Sequence, residues 1–494
     1  MSQLIATAVC MVVIVGLFVL DRDRERRTSR MLWIPFIYLL IIASRGVSSW
    51  MGIAPPPDEL YGEAIYSSPI DEAVILVLLA LGLMTLIVRR RKLGLVLQGS
   101  WAVLLFYCYG AFSVFWSDTP FFTLKHWTKA VVDLVMALIV LTDMDPVTAI
   151  KRLLTRAGFI LIPLSILFSK YYPALGRELN KSWEVVYCGV ADTKNWLGVD
   201  CMIFGLTSLW CLLDARSEHK GPGRTRRLVA HIAFLAMIAV LVKMAYSATA
   251  SASLVLASAV MVAIFQRKRN MRTARVHLAV AIALGCALLP LFVLPSLVKD
   301  VGKDTTFSGR TKIWHILPRF VENPWLGAGY ETFLSGPRMV QLKALIDKTF
   351  QEAHDGYLEV WLNLGWIGVL LFAFVVVSGY RKAVAAYGRD PAIGSLRIAF
   401  FVAVLIEGLT EAPFRMMTPT WFLLLWAMID NSMARNLNPR RERQKRSLPV
   451  KAWFGTPAMK KAVYANSSLI RDSASTRSGF NEIDEAELPQ LSRR

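Results

Sequence analysis

The stretch LEVWLNLGWIGVLLFAFVVVSGY, residues 358–380, decides the class of fold. It contains one acidic residue and no basic residue. A helix that crosses the hydrocarbon core of a bilayer needs about 20 mostly apolar residues, and this stretch has that length. Similar blocks recur along the chain, in which apolar residues make up 55% of the total. The sequence therefore predicts an all-α polytopic membrane protein.

We expect twelve to thirteen transmembrane helices, and several of the blocks that predict them are short or interrupted. The predicted spans are 3–20, 31–46, 70–88, 95–115, 124–142, 156–172, 195–214, 229–246, 251–265, 276–296, 358–380, 397–412 and 418–431.

The formal net charge of +20 is placed as a membrane protein would place it. Lys and Arg fall in short clusters in every second loop, and the positive-inside rule assigns such loops to the cytoplasm. This pattern does not suggest nucleic-acid binding. It places the long loop from Val298 to Tyr357 on the periplasmic face of a bacterial inner membrane.

Five regions follow from this topology. We expect N-terminal transmembrane helices in 1–94, a transmembrane core in 95–296 and a large periplasmic catalytic loop in 297–357. Further transmembrane helices follow in 358–431, and a disordered cytoplasmic tail in 432–494. The tail begins with a basic run, residues 440–446, which is suited to anionic lipid head groups.

The first motif of the long loop is Ser308-Gly309-Arg310-Thr311-Lys312-Ile313-Trp314. Ser308 is a suitable N-cap for a helix that carries Arg310 and Lys312 in its first turn. The helix dipole already favours anions there, so added cations predict a phosphate or pyrophosphate site. The alternative is a solvated helix start whose Arg310 meets lipid head groups, and the spacing does not separate the two.

The second motif is Glu322-Asn323-Pro324-Trp325-Leu326-Gly327-Ala328-Gly329. Asn-Pro and the paired glycines predict a turn. Glycines also allow a backbone to approach a ligand, but a structural turn is the favoured interpretation.

The third motif is Glu352-Ala353-His354-Asp355-Gly356-Tyr357-Leu358-Glu359. We expect His354, Tyr357, Leu358 and Trp361 to share one helix face. A histidine beside carboxylates is suited to act as a general base near neutral pH. An interfacial histidine among belt aromatics is the alternative, which the residues alone narrowly favour.

Smaller signals come from other loops predicted to face outward. Lys194 opens a predicted span, and Glu411 and Arg415 bracket the last outer turn. Singly, such residues more often snorkel or form pairs. Together they place cations where a lipid phosphate head group would lie. Asp133 and Asp200 are unusual because they fall inside predicted spans.

These motifs, in this order, resemble the O-antigen ligase and polymerase family of bacterial membrane glycosyltransferases, and especially its exopolysaccharide-polymerase branch. The resemblance covers about residues 95–425. Thr193 stands where that branch typically has a histidine, so any role of that histidine is absent or filled elsewhere. The motifs that carry the resemblance are Trp116-Ser117 followed by Pro120, Gly189-x-x-x-x-Lys194-Asn195-x-Leu197-Gly198, Ser308-Gly309-Arg310 with Trp314, Asn323-Pro324-x-x-Gly327-x-Gly329, and His354-x-x-x-Leu358 followed by Gly365-x-x-Gly368.

The resemblance implies a bundle of the lipid-linked-sugar transferase (GT-C) kind with a helical periplasmic loop. It implies inverting transfer of a glycan from undecaprenyl pyrophosphate to an acceptor hydroxyl, without metal, nucleotide or other cofactor. The acceptor is lipid A–core in ligases and another lipid-linked repeat unit in polymerases. By this resemblance His354 and Arg310 are expected to be catalytic. Substrate binding is expected from Lys194, Lys312, Arg415, Trp314 and Tyr357.

The sequence leaves ligase and polymerase unseparated. A transporter or flippase for lipid-linked glycans is a rival, but it predicts charges along a path at the bilayer midplane. The notable charges lie instead at one rim. A non-catalytic scaffold would leave Arg310, Lys194 and His354 on one side without explanation.

Overall fold

The computed structural model describes residues 2–22, 28–53, 68–179, 183–217, 223–265, 273–299, 310–346 and 352–432. This part of the chain is almost entirely helical, as predicted. Ser308 and nearly all of the predicted tail lie outside it. The helices are α1 (Gln3–Leu20), α2 (Trp33–Ile42), α3 (Val47–Trp50), α4 (Pro69–Val88), α5 (Arg90–Gln98), α6 (Trp101–Phe112), α7 (Pro120–Leu141), α8 (Pro146–Tyr171), α9 (Pro173–Gly176), α10 (Lys194–Ser217), α11 (Arg224–Ala245), α12 (Ala248–Ile264), α13 (Thr273–Lys299), α14 (Arg310–Ile316), α15 (Pro337–Ile346), α16 (Gly356–Arg389), α17 (Pro391–Glu407) and α18 (Pro419–Met428).

The peripheral helices present apolar side chains outward. Leu4 of α1 is 82% exposed, Val88 of α4 is 86% exposed and Leu370 of α16 is 65% exposed. A water-soluble protein rarely leaves apolar surfaces of this extent uncovered, whereas lipid tails solvate them. The chain is therefore an α-helical membrane protein.

Within the residues that the structure describes, six helices are long and apolar enough to cross a bilayer: α1, α4, α8, α10, α11 and α16. The other predicted spans coincide with helices that are shorter, such as α2 and α18, or that carry several charges, such as α7. Length and composition thus support six crossings, or seven with one bent pair, fewer than the twelve to thirteen predicted.

The predicted continuous span 95–115 is wrong. The chain breaks between α5 and α6, and the two parts are bent by 91°. Gly99 and Ser100 lie at the break, and Ser100 Oγ donates a hydrogen bond to the carbonyl of Val96 at 2.9 Å. The side chain thereby pairs with a carbonyl of the last turn of α5, which lacks a helical partner because the helix ends.

The centre of the bundle is built from α7, α17 and α18. Every residue of α18 is buried, as is the stretch of α17 from Ile393 to Glu407. Helices that are apolar on all sides belong in a protein interior. The turn that joins α17 to α18 is consequently held within the packed core.

A short antiparallel hairpin was not predicted. Strand β1 (Arg177–Leu179) pairs with β2 (Val185–Tyr187), with Glu178 opposite Val186. The guanidinium of Arg177 lies 5.5 Å from the ring centre of Tyr187. Strands of three residues give too short an alternation to be recognised by pattern.

The loop after α13 packs against the start of α16. Its apolar cluster consists of Leu317, Ala328, Phe333, Leu342, Ala353 and Leu362, the last of which lies on α16. Ile313, Ile316 and Phe320 pack against this cluster. The apolar side chains that follow Arg310 therefore cover the core of the loop.

Helix α16 is interrupted at Gly365, where φ is +61°. The turn 323–329 pairs with this interruption through its backbone. Ala328 N donates to Leu362 O at 3.1 Å, and Trp366 N donates to Pro324 O at 2.9 Å. Unpaired backbone groups are costly at membrane depth, so the turn supplies the partners that the broken helix lacks.

Candidate active site

Arg415 gathers carboxylates from three parts of the chain. It lies in the turn between α17 and α18, and its Nε is 3.1 Å from Glu331 Oε2 and 3.9 Å from Glu359 Oε2. Its Nη1 is 4.0 Å from Glu352 Oε2. The Arg415 side chain is only 18% exposed, so these pairs are largely shielded from water. We define the Arg415 cluster as Glu331, Glu352, His354, Glu359, Glu411 and Arg415.

The cluster holds more negative than positive charge. Burial opposes the charge on Arg415, but Glu331, Glu359 and Glu352 outweigh it, so the pKa of the guanidinium lies above its ordinary value. Arg415 therefore remains charged. Burial raises the pKa of the Glu331 carboxyl, although Arg415 opposes this. The raised pKa of Glu331 reflects the cost of burying its charge, to which the neighbouring carboxylate of Glu352 adds.

His354 lies between two carboxylates of the cluster. Its Nδ1 is 2.9 Å from Glu352 Oε1 and 3.3 Å from Glu411 Oε2. The other oxygen of Glu411 accepts a hydrogen bond from Asn195 Nδ2 at 3.1 Å, which connects the start of α10 to the cluster. A carboxylate on one ring nitrogen fixes the orientation and the tautomer of an imidazole.

His354 is not part of α16. The helix begins at Gly356, and Asp355 caps it by accepting hydrogen bonds from the backbone N–H groups of Tyr357 and Leu358, each at 3.0 Å. His354 precedes the cap and has φ +53°. The predicted common helix face is therefore wrong for His354, because the cap places it before the helix.

Trp314 links α14 to the residue before His354. Its Nε1 donates a hydrogen bond to the carbonyl of Ala353 at 2.9 Å. Arg310, which begins α14, lies one helical turn before Trp314, and Lys312 lies between them. The side chains of Arg310 and Lys312 are outside the described part of the structure. Their backbone positions place them on the helix that Trp314 anchors beside His354.

The other predicted substrate residues adjoin the same region. Lys194 is the first residue of α10 and precedes Asn195, the partner of Glu411. Tyr357 donates from its hydroxyl to Leu405 O at 2.9 Å, and its ring centre is 5.2 Å from that of Phe414. Trp314 thus contacts the segment that carries His354, Tyr357 follows that segment in the chain, and Lys194 is adjacent to a partner of Glu411.

The segment 113–126 forms a wall against the turn 323–331. Ser113 Oγ accepts a hydrogen bond from Tyr330 N at 2.9 Å, and Trp116 Nε1 donates to Leu326 O at 3.2 Å. His126 Nδ1 is 2.9 Å from Glu331 O. These contacts hold Glu331 in its place opposite Arg415.

A cavity adjoins the polar groups of the Arg415 cluster. One wall carries Glu331, Glu359 and Arg415. The rest of the lining is mainly apolar and aromatic. The further lining residues are Phe106, Tyr330, Gly356, Val360, Asn363, Leu364, Phe372, Phe414 and Trp421.

Three side chains of the cluster have the donor atoms of a metal site. Glu352, His354 and Glu411 offer two carboxylate oxygens and one imidazole nitrogen, all within 4.8 Å of one another. The sequence predicted no metal. A test of the prediction that no metal is needed must therefore ask whether these three residues bind a metal ion.

Sequence reasoning did not single out Glu331. It follows the glycine-rich turn by two residues and has φ +56°, which is unusual for a residue with a side chain. No regular pattern in the sequence marks it. Asn195 was noted only as part of a motif, and Glu352 and Glu359 only as neighbours of His354.

The fold and the site define a class of protein: a polytopic helical membrane protein with a shielded cluster of acid, base and guanidinium groups. Residues 232–373 match the family model described as O-Antigen ligase, and this range includes Glu331, His354 and Glu359. The chain is also 23% identical over 364 residues to the exopolysaccharide production protein ExoQ of Rhizobium meliloti (strain 1021), covering 69% of this chain and 80% of that relative. These matches confirm the resemblance of the chain to the O-antigen ligase and polymerase family that the motifs carry.

This similarity supports a general activity in O-antigen or exopolysaccharide ligation or polymerisation, and it implies lipid-linked polysaccharide substrates in a membrane. Together with the apolar helices it indicates a bacterial membrane protein.

Proposed function

We propose that the protein transfers a glycan from undecaprenyl pyrophosphate to an acceptor hydroxyl on the outer face of the bacterial inner membrane. The observation that carries this proposal is the placement of His354 between the carboxylates of Glu352 and Glu411. A histidine held in this way is suited to take a proton from a hydroxyl.

The proposed reaction uses the two ring nitrogens of His354 differently. Nδ1 donates its proton towards the carboxylates of Glu352 and Glu411, so Nε2 is the nitrogen that takes the proton of the acceptor hydroxyl. The acceptor oxygen attacks the anomeric carbon while the bond to the pyrophosphate oxygen breaks. The bonding electrons leave with the pyrophosphate, and the anomeric configuration inverts. The carboxylates stabilise the imidazolium that forms.

The pyrophosphate needs cations close to this histidine. Arg310 and Lys312 begin the helix that Trp314 fixes beside His354, and Arg310 lies about 6 Å before Trp314 along that helix. Lys194 begins α10 next to the Asn195–Glu411 contact. We assign the pyrophosphate to Arg310 first, with Lys194 and Lys312 in support, because pyrophosphate is a good leaving group once its charge is held.

Arg415 was predicted to bind substrate, and the carboxylates around it suggest a further role. Glu331, Glu352 and Glu359 all lie within 4.0 Å of its guanidinium. A guanidinium that holds three carboxylates keeps them from separating by mutual repulsion. We propose that Arg415 thereby keeps Glu352 in place against His354.

The aromatic residues retain the role proposed from the family. Trp314 and Tyr357 use their polar atoms for contacts with backbone carbonyls, at Ala353 O and Leu405 O. Their rings are apolar surfaces beside the cluster, which suits stacking on the faces of sugar rings. We propose that they bind the glycan in this way.

We propose that the transfer needs no metal ion, because the cationic groups Arg310, Lys312 and Lys194 can hold the pyrophosphate. Treatment with EDTA is expected to leave the activity of the purified protein unchanged within about twofold, since loss of a catalytic metal would cost far more. Loss of activity with EDTA and its return with Mn²⁺ or Zn²⁺ would instead assign a metal to Glu352, His354 and Glu411.

Reconstitution with purified undecaprenyl-pyrophosphate repeat units tests the proposed function. The protein is placed in liposomes with the donor alone or with added lipid A–core. Long lipid-linked chains indicate a polymerase, and glycan attached to lipid A indicates a ligase. Neither product, together with movement of the donor across the bilayer, would replace the proposal by a transporter.

A further inference from the structure

Asp133 joins three separate parts of the bundle. It lies on α7 and is fully buried. Its Oδ1 accepts a hydrogen bond from the hydroxyl of Tyr38 on α2 at 2.7 Å, and its Oδ2 accepts one from the backbone N–H of Met417 at 2.8 Å. A carboxylate inside a membrane protein is costly and usually functional. The partners of Asp133 therefore indicate which part of the protein it supports.

One of these partners belongs to the turn that carries the Arg415 cluster. Met417 has φ +54°, a left-handed conformation that a side chain disfavours. Strained backbone of this kind persists where surrounding contacts hold it. The hydrogen bond to Asp133 is such a contact, and it acts two residues after Arg415.

The same turn contacts His354 directly through Glu411 and indirectly through Arg415 and Glu352. Glu411 is 3.3 Å from the imidazole of His354. Arg415 is 4.0 Å from Glu352, which in turn is 2.9 Å from the imidazole. A shift of the turn would therefore move both carboxylates that orient His354.

We propose that Asp133 is a positioning residue for glycan transfer. By binding Met417 N it fixes the turn, and through Glu411 and Arg415 it fixes the orientation of His354. The hydrogen bonds of Asp133 go to Tyr38 and Met417, so the proposed route from Asp133 to His354 is the turn. This inference rests on the proposed role of His354.

Three variants separate the two hydrogen bonds of Asp133. Asp133→Leu removes both at similar volume. Asp133→Asn retains an oxygen that can accept from Met417 N and an amide that can donate to the hydroxyl of Tyr38. Tyr38→Phe is the matched control, because it removes a hydrogen bond of the same carboxylate but leaves the bond to Met417.

The expected result is a fall in kcat with little change in KM. Asp133→Leu should lower kcat about 100-fold, since a displacement of about 1 Å in a catalytic group has that effect. KM for the lipid-linked donor should change less than about threefold, because the pyrophosphate contacts are on other elements. The kcat of Asp133→Asn and of Tyr38→Phe should each stay within about threefold of the wild-type value. A change of that size corresponds to about the weakest net contribution of one hydrogen bond. Rates are expressed per folded protein, measured by thermal unfolding in detergent.

His354→Ala, measured in parallel, separates this inference from the proposed function. An active His354→Ala protein would overturn the proposed function itself. If His354→Ala is inactive, a wild-type kcat in folded Asp133→Leu would overturn the positioning role alone. Equal losses in Tyr38→Phe and Asp133→Leu would do the same.

Asp133→Ser provides a second test if the leucine variant does not fold. Its hydroxyl keeps the site polar but is too short to reach Met417 N directly. The same fall in kcat is expected in the folded protein. A wild-type kcat in Asp133→Ser would reject the positioning role.

Discussion

His354 adopts a conformation that residues with side chains rarely use. Its φ is +53°, and Glu331 and Met417 of the same region have φ +56° and +54°. Such residues cost free energy and cluster at functional sites. Two of them supply side chains to the Arg415 cluster, and the third anchors the turn beneath it. The strain therefore coincides with the groups to which we assign chemistry.

Replacing the imidazole should remove glycan transfer and leave the fold intact. His354→Ala is expected to lower the rate about 100-fold to 10,000-fold, the usual contribution of a general base. His315→Ala is the matched control, because His315 is an exposed histidine of α14. Activity is measured as polymer or ligated product per folded protein. Equal activity in the two variants would contradict the assigned role of His354.

Removing the guanidinium of Arg415 should destabilise the protein. Arg415→Ala leaves Glu331, Glu352 and Glu359 shielded from water without their shared cation, at a cost of about 3 kcal/mol. The partial exposure of Arg415 keeps the loss near the lower end of the range for buried pairs. Thermal unfolding in detergent measures it.

Arg389→Ala is the matched control for this prediction. Arg389 is paired with Asp430 at 2.7 Å, but its side chain is 44% exposed. Surface pairs contribute about 0–1 kcal/mol, so little change in unfolding temperature is expected. A loss as small in Arg415→Ala would show that the guanidinium does not hold the carboxylates together.

The glycines of two family motifs, 323–329 and 365–368, lie where the loop packs against α16. The glycine-rich turn is bound to the interrupted helix by backbone hydrogen bonds, and in one of them Gly329 N donates to Asn363 O at 2.9 Å. A Cβ on Gly327 would lie 2.5 Å from the carbonyl carbon of Asn363, so the two backbones approach too closely for a side chain. The motifs therefore serve one contact, which holds the loop against the helix that carries Glu359.

A side chain at Gly365 should separate this contact. Gly365 has φ +61°, and an added Cβ would lie 2.3 Å from the carbonyl carbon of Trp325. Gly365→Ala is expected to cost about 2 kcal/mol or more, from the left-handed backbone and the clash together. Protease protection of the loop and thermal unfolding measure the effect.

Gly388→Ala tests the same substitution elsewhere in α16. Nothing lies within 4 Å of a Cβ at Gly388, and its backbone is helical. Alanine should stabilise the helix there by up to about 1 kcal/mol. Similar losses in the two variants would mean that the contact at Gly365 is unimportant.

At the scale of the whole molecule, we predict that the long loop and the C-terminal tail lie on opposite sides of the membrane. The basic run 440–446 is expected to keep the tail in the cytoplasm by the positive-inside rule. In a protein whose native cysteines are replaced by serine, Trp325→Cys should react with an impermeant maleimide on spheroplasts. Trp325 suits this test because its side chain is 61% exposed. Ser468→Cys should react only after the membrane is opened, and labelling of both in intact spheroplasts would contradict the topology.

The class of fold and the location of most helices could be predicted from the sequence. Blocks such as 358–380 are long and apolar, and this property does not depend on what they pack against. The motif residues His354, Arg310 and Lys194 were also recognisable, because each stands next to turn or helix-start signals. The number of crossings is not fixed by the same pattern, because a buried core helix such as α18 is as apolar as a lipid-facing helix.

The composition of the Arg415 cluster became known only from the folded chain. The side chains of Glu331 and Arg415 touch although the two residues lie 84 positions apart in the chain. His354 and Glu411 touch across 57 positions. Hydropathy reports whether a segment is buried, but it carries no information about which turns meet. The meeting depends on the break in α16 at Gly365, on the cap at Asp355 and on the turn bound to Asp133. These are features of backbone geometry and packing between elements, and periodicity along a single element does not encode them.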